Sequence, residues 1–127
     1  MTTQHDATGF VPVTDTEELT AWIARSSEEA VVLFMHDPFC PISGRANVEM
    51  KQLTYSPIAL VDVSRQRDVT QQVAVQTGVQ HESPQVIILR GGKPIWDASH
   101  FAITAEAVER MLSLVAQSEE SQPTADA

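Results

Sequence analysis

The chain reads as an α/β protein, a central mixed β-sheet flanked by helices, and three observations predict it. Ala30 to Met35, Ile58 to Val63 and Gln85 to Leu89 are runs of strand-forming, mostly apolar residues bounded by polar ones, the pattern of strands buried on both faces. Segments of helical period lie between them. The third run leads through Gly91-Gly92 into another strand-like stretch, a hairpin that adds an antiparallel strand to a parallel half.

Taken in order, Phe10-Val11-Pro12-Val13 predicts a short strand, with Pro12 placing it at an edge or strand end. Thr14-Asp15-Thr16-Glu17 has capping-box spacing. Leu19, Trp22 and Ile23 then share one helical face, and the helix ends near Ser26-Ser27. After the first buried strand, Ile42, Ala46, Met50 and Leu53 recur at helical spacing, with Pro41 at the first helical position, where a missing N–H costs nothing. The second strand, Ile58 to Val63, completes a right-handed βαβ unit. Gln66 to Gln76 forms a weaker helix with Val69 and Val73 inward, stopped by Gly78. Gln85 to Arg90 is the third core strand, and Lys93 to Ala98 returns antiparallel, with Pro94 marking a sheet edge. Thr104 caps the last helix, whose inward stripe is Val108, Met111, Leu112 and Val115. This order, with a βαβ half followed by a hairpin and a helix, is the plan of thioredoxin-like folds. In that plan a cis-proline, here Pro84 after Ser83, precedes the third core strand. The residue before it offers backbone groups to an extended substrate.

A chain of 127 residues suits one domain, 1–127, with a core of about 10–116 and mobile ends at 1–9 and 118–127. No apolar run approaches the ~20 residues of a membrane span, and Met1 to Thr8 lacks the pattern of a secretory signal. The net charge of −9 argues against non-specific nucleic-acid binding. That charge is unevenly spread. Residues 30–116 carry eight acids (Asp37, Glu49, Asp62, Asp68, Glu82, Asp97, Glu106, Glu109) against seven bases (Arg45, Lys51, Arg65, Arg67, Arg90, Lys93, Arg110). The acidity therefore lies on the first helix and the two ends, and it constrains the centre little. A single cysteine cannot form an intramolecular disulfide and fits a reducing, cytoplasmic compartment.

That cysteine, Cys40, falls at the N-cap of the Pro41 helix. The N–H groups of Ile42 and Ser43 would face its sulfur, and the helix dipole would add about half a positive charge. Both favour thiolate, and the Ser43 hydroxyl is placed to donate a hydrogen bond to it. A more stable thiolate attacks little faster, because nucleophilicity falls as the thiolate fraction rises. The gain comes when the sulfur is the leaving group. Ser43 stands where a C-x-x-C motif would carry its resolving cysteine, so any mixed disulfide at Cys40 awaits an external thiol.

Phe39-Cys40-Pro41-Ile42-Ser43, the segment Gly78 to Gln85 and the segment Ala98 to Thr104 together resemble the monothiol bacilliredoxins, thioredoxin-like proteins with a Thr-Cys-Pro-Ile-Ser active site. The resemblance covers roughly residues 10–116. It implies a cytoplasmic monothiol thiol–disulfide oxidoreductase that removes bacillithiol from S-bacillithiolated client proteins through a Cys40 mixed disulfide. Bacillithiol would be a co-substrate rather than a tightly bound cofactor, and a low-molecular-weight thiol with its reductase system would recycle the protein. Neither nucleic acid nor membrane is expected as a partner. Cys40 is the implied nucleophile, with Ser43 and Pro84 beside it. Phe39, Pro41, Ser83 and His81 are candidate substrate-binding positions. Arg45 and His100 are candidate contacts to an anionic thiol. Phe39 replaces the usual threonine, and Asp37-Pro38 adds a charge and a kink. Phe34 occupies the position, six before the nucleophile, where thioredoxins proper carry a buried acid. His36 and Cys40 are four apart, but a strand-to-loop transition does not face them together and only scattered His81 and His100 could join them. No metal site is therefore expected. Two other functions compete: a redox-inert module that binds extended peptides beside Pro84, and a dimeric iron–sulfur carrier. The Cys-Gly-Phe-Ser of monothiol glutaredoxins, which would favour the carrier, is absent.

Overall fold

The computed structural model describes residues 9–121, and the outermost parts of the two expected mobile ends lie outside the described residues. The elements are β1 (Phe10–Pro12), α1 (Thr16–Arg25), β2 (Val31–His36), α2 (Pro41–Met50), β3 (Ile58–Asp62), α3 (Arg67–Thr77), β4 (Gln85–Arg90), β5 (Lys93–Ser99), a 3-10 turn (His100–Ala102) and α4 (Ala105–Ser121). The sheet order is β1-β3-β2-β4-β5. β1, β3 and β2 run parallel, while β4 is antiparallel to β2 and to β5. This is the expected mixed sheet, with β2 at its centre and β5 at an edge.

Alternation along β2 divides the core. Val32 and Phe34 point to one face with Ala46 and Met50 of α2 and Val108 and Leu112 of α4. Val31, Leu33 and Met35 point to the other, with Leu19 of α1 and Val69 and Val73 of α3. Both faces are covered, which explains why Val31 to Met35 is buried without a polar interruption. Fully burying each large apolar side chain contributes roughly 1.5–3 kcal/mol.

Element ends follow local chemistry. Gly91 and Gly92 have φ of 68° and 78°, the left-handed pair that a two-residue hairpin requires. Three details depart from the expected pattern. The N-cap of α1 is Asp15 rather than Thr14. Its carboxylate accepts from Glu18 N–H at 2.8 Å while the Glu18 carboxylate accepts from Thr14 N–H at 2.7 Å, a capping box shifted by one residue. The inward stripe of α2 begins at Ser43, which is buried, rather than Ile42, which is only half-buried. The expected tail from Ser118 is helical as far as Ser121, and an ion pair joins Glu119 to Arg90. Among the described residues, no helix is long and apolar enough to cross a membrane.

Candidate functional site

The site forms where central strand β2 stops and α2 begins. Asp37 opens a tight turn: Cys40 N–H donates to the Asp37 carbonyl at 3.1 Å, and Phe39 N–H donates to the Asp37 carboxylate at 3.0 Å. Pro38 sits second in this turn, where its fixed φ suits the bend. The Asp37 carboxylate is thereby occupied by the backbone of its own turn. Pro41 then starts the helix, and Gly44 N–H donates to the Cys40 carbonyl at 2.9 Å as the first helical bond.

Cys40 is the N-cap, with φ −108° and ψ 124°, and makes no side-chain capping hydrogen bond. It is partly exposed and free. Its sulfur lies at the end of a helix with no acidic residue in its first turn, so no carboxylate there opposes the positive end of the dipole.

Ser43 lies differently from expectation. Its hydroxyl is fully buried and is engaged with the loop rather than with Cys40. It accepts from Asp37 N–H at 2.9 Å and lies 2.7 Å from Nδ1 of His36. The reason is helical phase. Ser43, Ala46 and Met50 form the inward stripe, so residue 43 looks under the helix toward the end of β2. His36 shares a strand face with Phe34, and its ring stacks on Phe34 with centroids 5.2 Å apart. Burial lowers the His36 pKa from its ordinary 6.5. Asp62 and Asp37 pull it upward against that effect, and Lys51 adds to the lowering. Sequence reasoning weighed His36 only as half of a metal pair and missed this contact. The available signal was two phases, residues 34 and 36 along a strand and 43, 46 and 50 along a helix, which converge on one point. Among the described residues, no group of three His, Cys, Asp or Glu side chains is placed to hold a metal ion.

The second wall comes from the start of β4. The Ser83–Pro84 bond is cis, as expected, and a second cis bond, Ser56–Pro57, was not foreseen. Met35 pairs with Gln85, so the antiparallel register carries Pro84 and Ser83 alongside His36 and Asp37. Buried Gln85 shapes the preceding loop by donating to the Gln80 carbonyl at 2.9 Å. The Ser83 hydroxyl is buried without a hydrogen-bond partner. His100 joins this wall: its N–H donates to the Pro84 carbonyl at 3.1 Å, and Nε2 lies 3.7 Å from the Glu82 carboxylate. His100 has φ of 58°, a left-handed conformation that costs a non-glycine residue about 1–2 kcal/mol. The next residue, Phe101, is 64% exposed and lies beneath the Arg45 guanidinium, 5.6 Å from the ring centroid. A chain of contacts thus runs from α2 through Arg45, Phe101 and His100 to Pro84. Phe39 is 79% exposed beside Cys40. His81 is exposed on the loop and takes no part in these hydrogen bonds.

Comparison with known structures places the fold. The chain superposes on a protein described as a candidate oxidoreductase with a thioredoxin fold (TM-score 0.74, 23% identity, 80% of this chain and 92% of that one). It also superposes on thioredoxin from Trypanosoma brucei brucei (0.70, 16%, 92% and 99%) and on Schistosoma mansoni thioredoxin (0.62, 14%, 83% and 96%). At these identities the likeness establishes a thioredoxin fold. The family described as Monothiol bacilliredoxin BrxC matches residues 11–108, a span that contains β2, the Cys40 turn, the cis-proline loop and the His100 turn. A monothiol site at a helix N-terminus, on a thioredoxin fold and within that match, gives the conclusion that this chain belongs to the monothiol bacilliredoxin family.

Proposed function

We propose that this protein removes bacillithiol from S-bacillithiolated proteins, with Cys40 as the nucleophile. The family and fold support a thiol oxidoreductase role in general. The bacillithiol-specific activity is the proposal: membership of the monothiol bacilliredoxin family supports the choice of thiol, and one observation supports the monothiol route. Cys40 presents a free sulfur at a helix N-terminus, while the side chain three residues on is a buried serine tied to His36 and Asp37. No group of the site can resolve a mixed disulfide, so the product must be handed to an external thiol.

The first exchange is an attack by the Cys40 thiolate on the bacillithiol sulfur of the client mixed disulfide. The Cys40–bacillithiol bond forms, the client–bacillithiol bond breaks, and the client leaves as a thiolate that takes a proton from water. A second bacillithiol thiolate then attacks the bacillithiol sulfur on Cys40. Cys40 leaves as thiolate, and bacillithiol disulfide departs for its reductase system. Stabilisation at the helix N-terminus serves this second step, in which Cys40 is the leaving group.

The other residues have supporting roles. Pro84 and the Ser83 backbone line the cleft against an extended client, and Pro41 starts the helix at the reacting end. Exposed Phe39 and His81 are positioned for client contact. Arg45 and His100 are cationic or ionisable groups for the carboxylates of the small thiol.

Intact mass after incubation with bacillithiol disulfide and, separately, glutathione disulfide tests the assignment. The expected result is a bacillithiol adduct on wild type, none on Cys40→Ser, and slower glutathione uptake. Equal uptake of the two thiols, or no adduct from bacillithiol disulfide, would overturn it.

A further inference from the structure

β4 buries a glutamine where its own pattern calls for an apolar residue. Gln85, Ile87 and Leu89 alternate along the strand toward one face, and Ile87 and Leu89 pack there into the core under α1 and α3. Gln85 is 1% exposed. A buried amide is costly unless its groups are hydrogen-bonded. Here both ends of the amide reach back into the preceding loop. Nε2 donates to the Gln80 carbonyl at 2.9 Å, and Oε1 accepts from Glu82 N–H at 3.4 Å. Beyond Ser83, the Pro84 carbonyl accepts from His100 N–H at 3.1 Å. The backbone is therefore held on both flanks of Ser83, and Ser83 itself is left open. Among the described residues, neither its N–H nor its carbonyl is hydrogen-bonded, and its buried hydroxyl has no partner. The β2–β4 register, continued from the Met35–Gln85 pair, brings Ser83 alongside Asp37, in the turn that carries Cys40.

We propose that Gln85 is a positioning residue for exchange at Cys40: its buried amide fixes the 80–82 loop in advance, so that the open N–H and carbonyl of Ser83 are preset to pair with an extended client segment. This deepens the proposed function. It rests on Cys40 exchanging with protein clients, and not on which small thiol is carried. An extended chain laid along Ser83 gains main-chain hydrogen bonds, as in strand addition to a sheet edge. A loop held beforehand spares the client the cost of ordering it. Gln85 faces α1 and α3, whereas α2 covers the opposite face of the sheet. Its effect should therefore reach the client's main chain and leave the sulfur unchanged.

The test separates the client's main chain from the sulfur. The probes are a short peptide bearing one S-bacillithiolated cysteine, the same peptide as its glutathione mixed disulfide, and iodoacetamide, which reports on the Cys40 sulfur alone. Gln85→Met keeps the length and unbranched shape of the side chain and suits the apolar stripe. One main-chain hydrogen bond is worth about fivefold in binding. Gln85→Met should raise KM for the peptides about fivefold at unchanged kcat, and its Cys40 should alkylate at the wild-type rate. An unchanged KM overturns the proposal, and so does a parallel fall in kcat and alkylation, which would make Gln85 a general support of the site. Hydrogen exchange followed by NMR on wild type needs no variant. Glu82 N–H should be protected in the free protein, and Ser83 N–H should become protected only when the peptide is held on Cys40 as a mixed disulfide. A Glu82 N–H that exchanges freely until the peptide is attached overturns the proposal equally. If wild type accepts the glutathione peptide as readily as the bacillithiol peptide, with the Gln85→Met effect on both, the bacillithiol assignment fails and this inference stands.

Discussion

Helices α1 and α2 begin in opposite ways. At α1 the N-cap is Asp15, whose carboxylate accepts from Glu18 N–H, and Glu17 and Glu18 fill the first turn. The donors and the positive dipole end are used for stability. At α2 the N-cap is Cys40, which makes no capping hydrogen bond, and no acid follows. The same electrostatic resource is left for the sulfur. Ser43, in the first turn of the helix, is turned under it to His36 and Asp37. One helix start completes a fold, and the other leaves its N-terminus uncapped beside a free sulfur.

Substitutions can break that contrast in a graded way. The largest effect is expected from Ser43→Ala, which leaves the Asp37 N–H and His36 without their partner. The cost should be about 1–3 kcal/mol in chemical denaturation. Asp15→Ala should cost about 1 kcal/mol, lowering the melting temperature by roughly 3–5 °C, while Cys40 exchange stays at the wild-type rate. A slower exchange in Asp15→Ala would show that the two helix starts are not independent. Cys40→Asp converts α2 into a copy of α1. It should raise stability by about 0.5–1 kcal/mol and abolish exchange. A lower melting temperature there would mean that the α2 amides are not free to be capped. The smallest effect is on pH dependence. Burial lowers the His36 pKa in the fold, so the unfolded chain binds the proton more readily. Stability from this group is complete above ~6.5 and is lost as pH falls from there through the depressed folded value. His36→Asn should flatten that part of the stability profile relative to wild type.

Much of this was legible in the residues. Three apolar runs, Gly91-Gly92 and Pro94 prescribe the sheet because few other arrangements bury those runs and turn at those glycines. Cys40 before Pro41 prescribes a sulfur at a helix start, since Pro41 is acceptable only in the first turn. Ser43 was legible as a position but not as a contact. A shift of one residue in helical phase separates a side chain that faces the sulfur from one that faces the strand.

The sequence by itself determined the strands, the start of α2 at Pro41 and the monothiol character of the site, because these depend on local propensity, on periodicity and on there being a single cysteine. Only the tertiary structure decided who meets whom. The β2–β4 register realises the neighbourhood that the family resemblance implied, carrying Ser83 and Pro84, more than forty residues along the chain, to the loop that bears Cys40. The convergence of a strand face and a helix stripe joins His36 to Ser43. The stack of Arg45 on Phe101 ties α2 to the His100 turn. Such contacts depend on packing across the sheet, where a small rotation of one helix changes every partner, and no local pattern in the chain records that rotation.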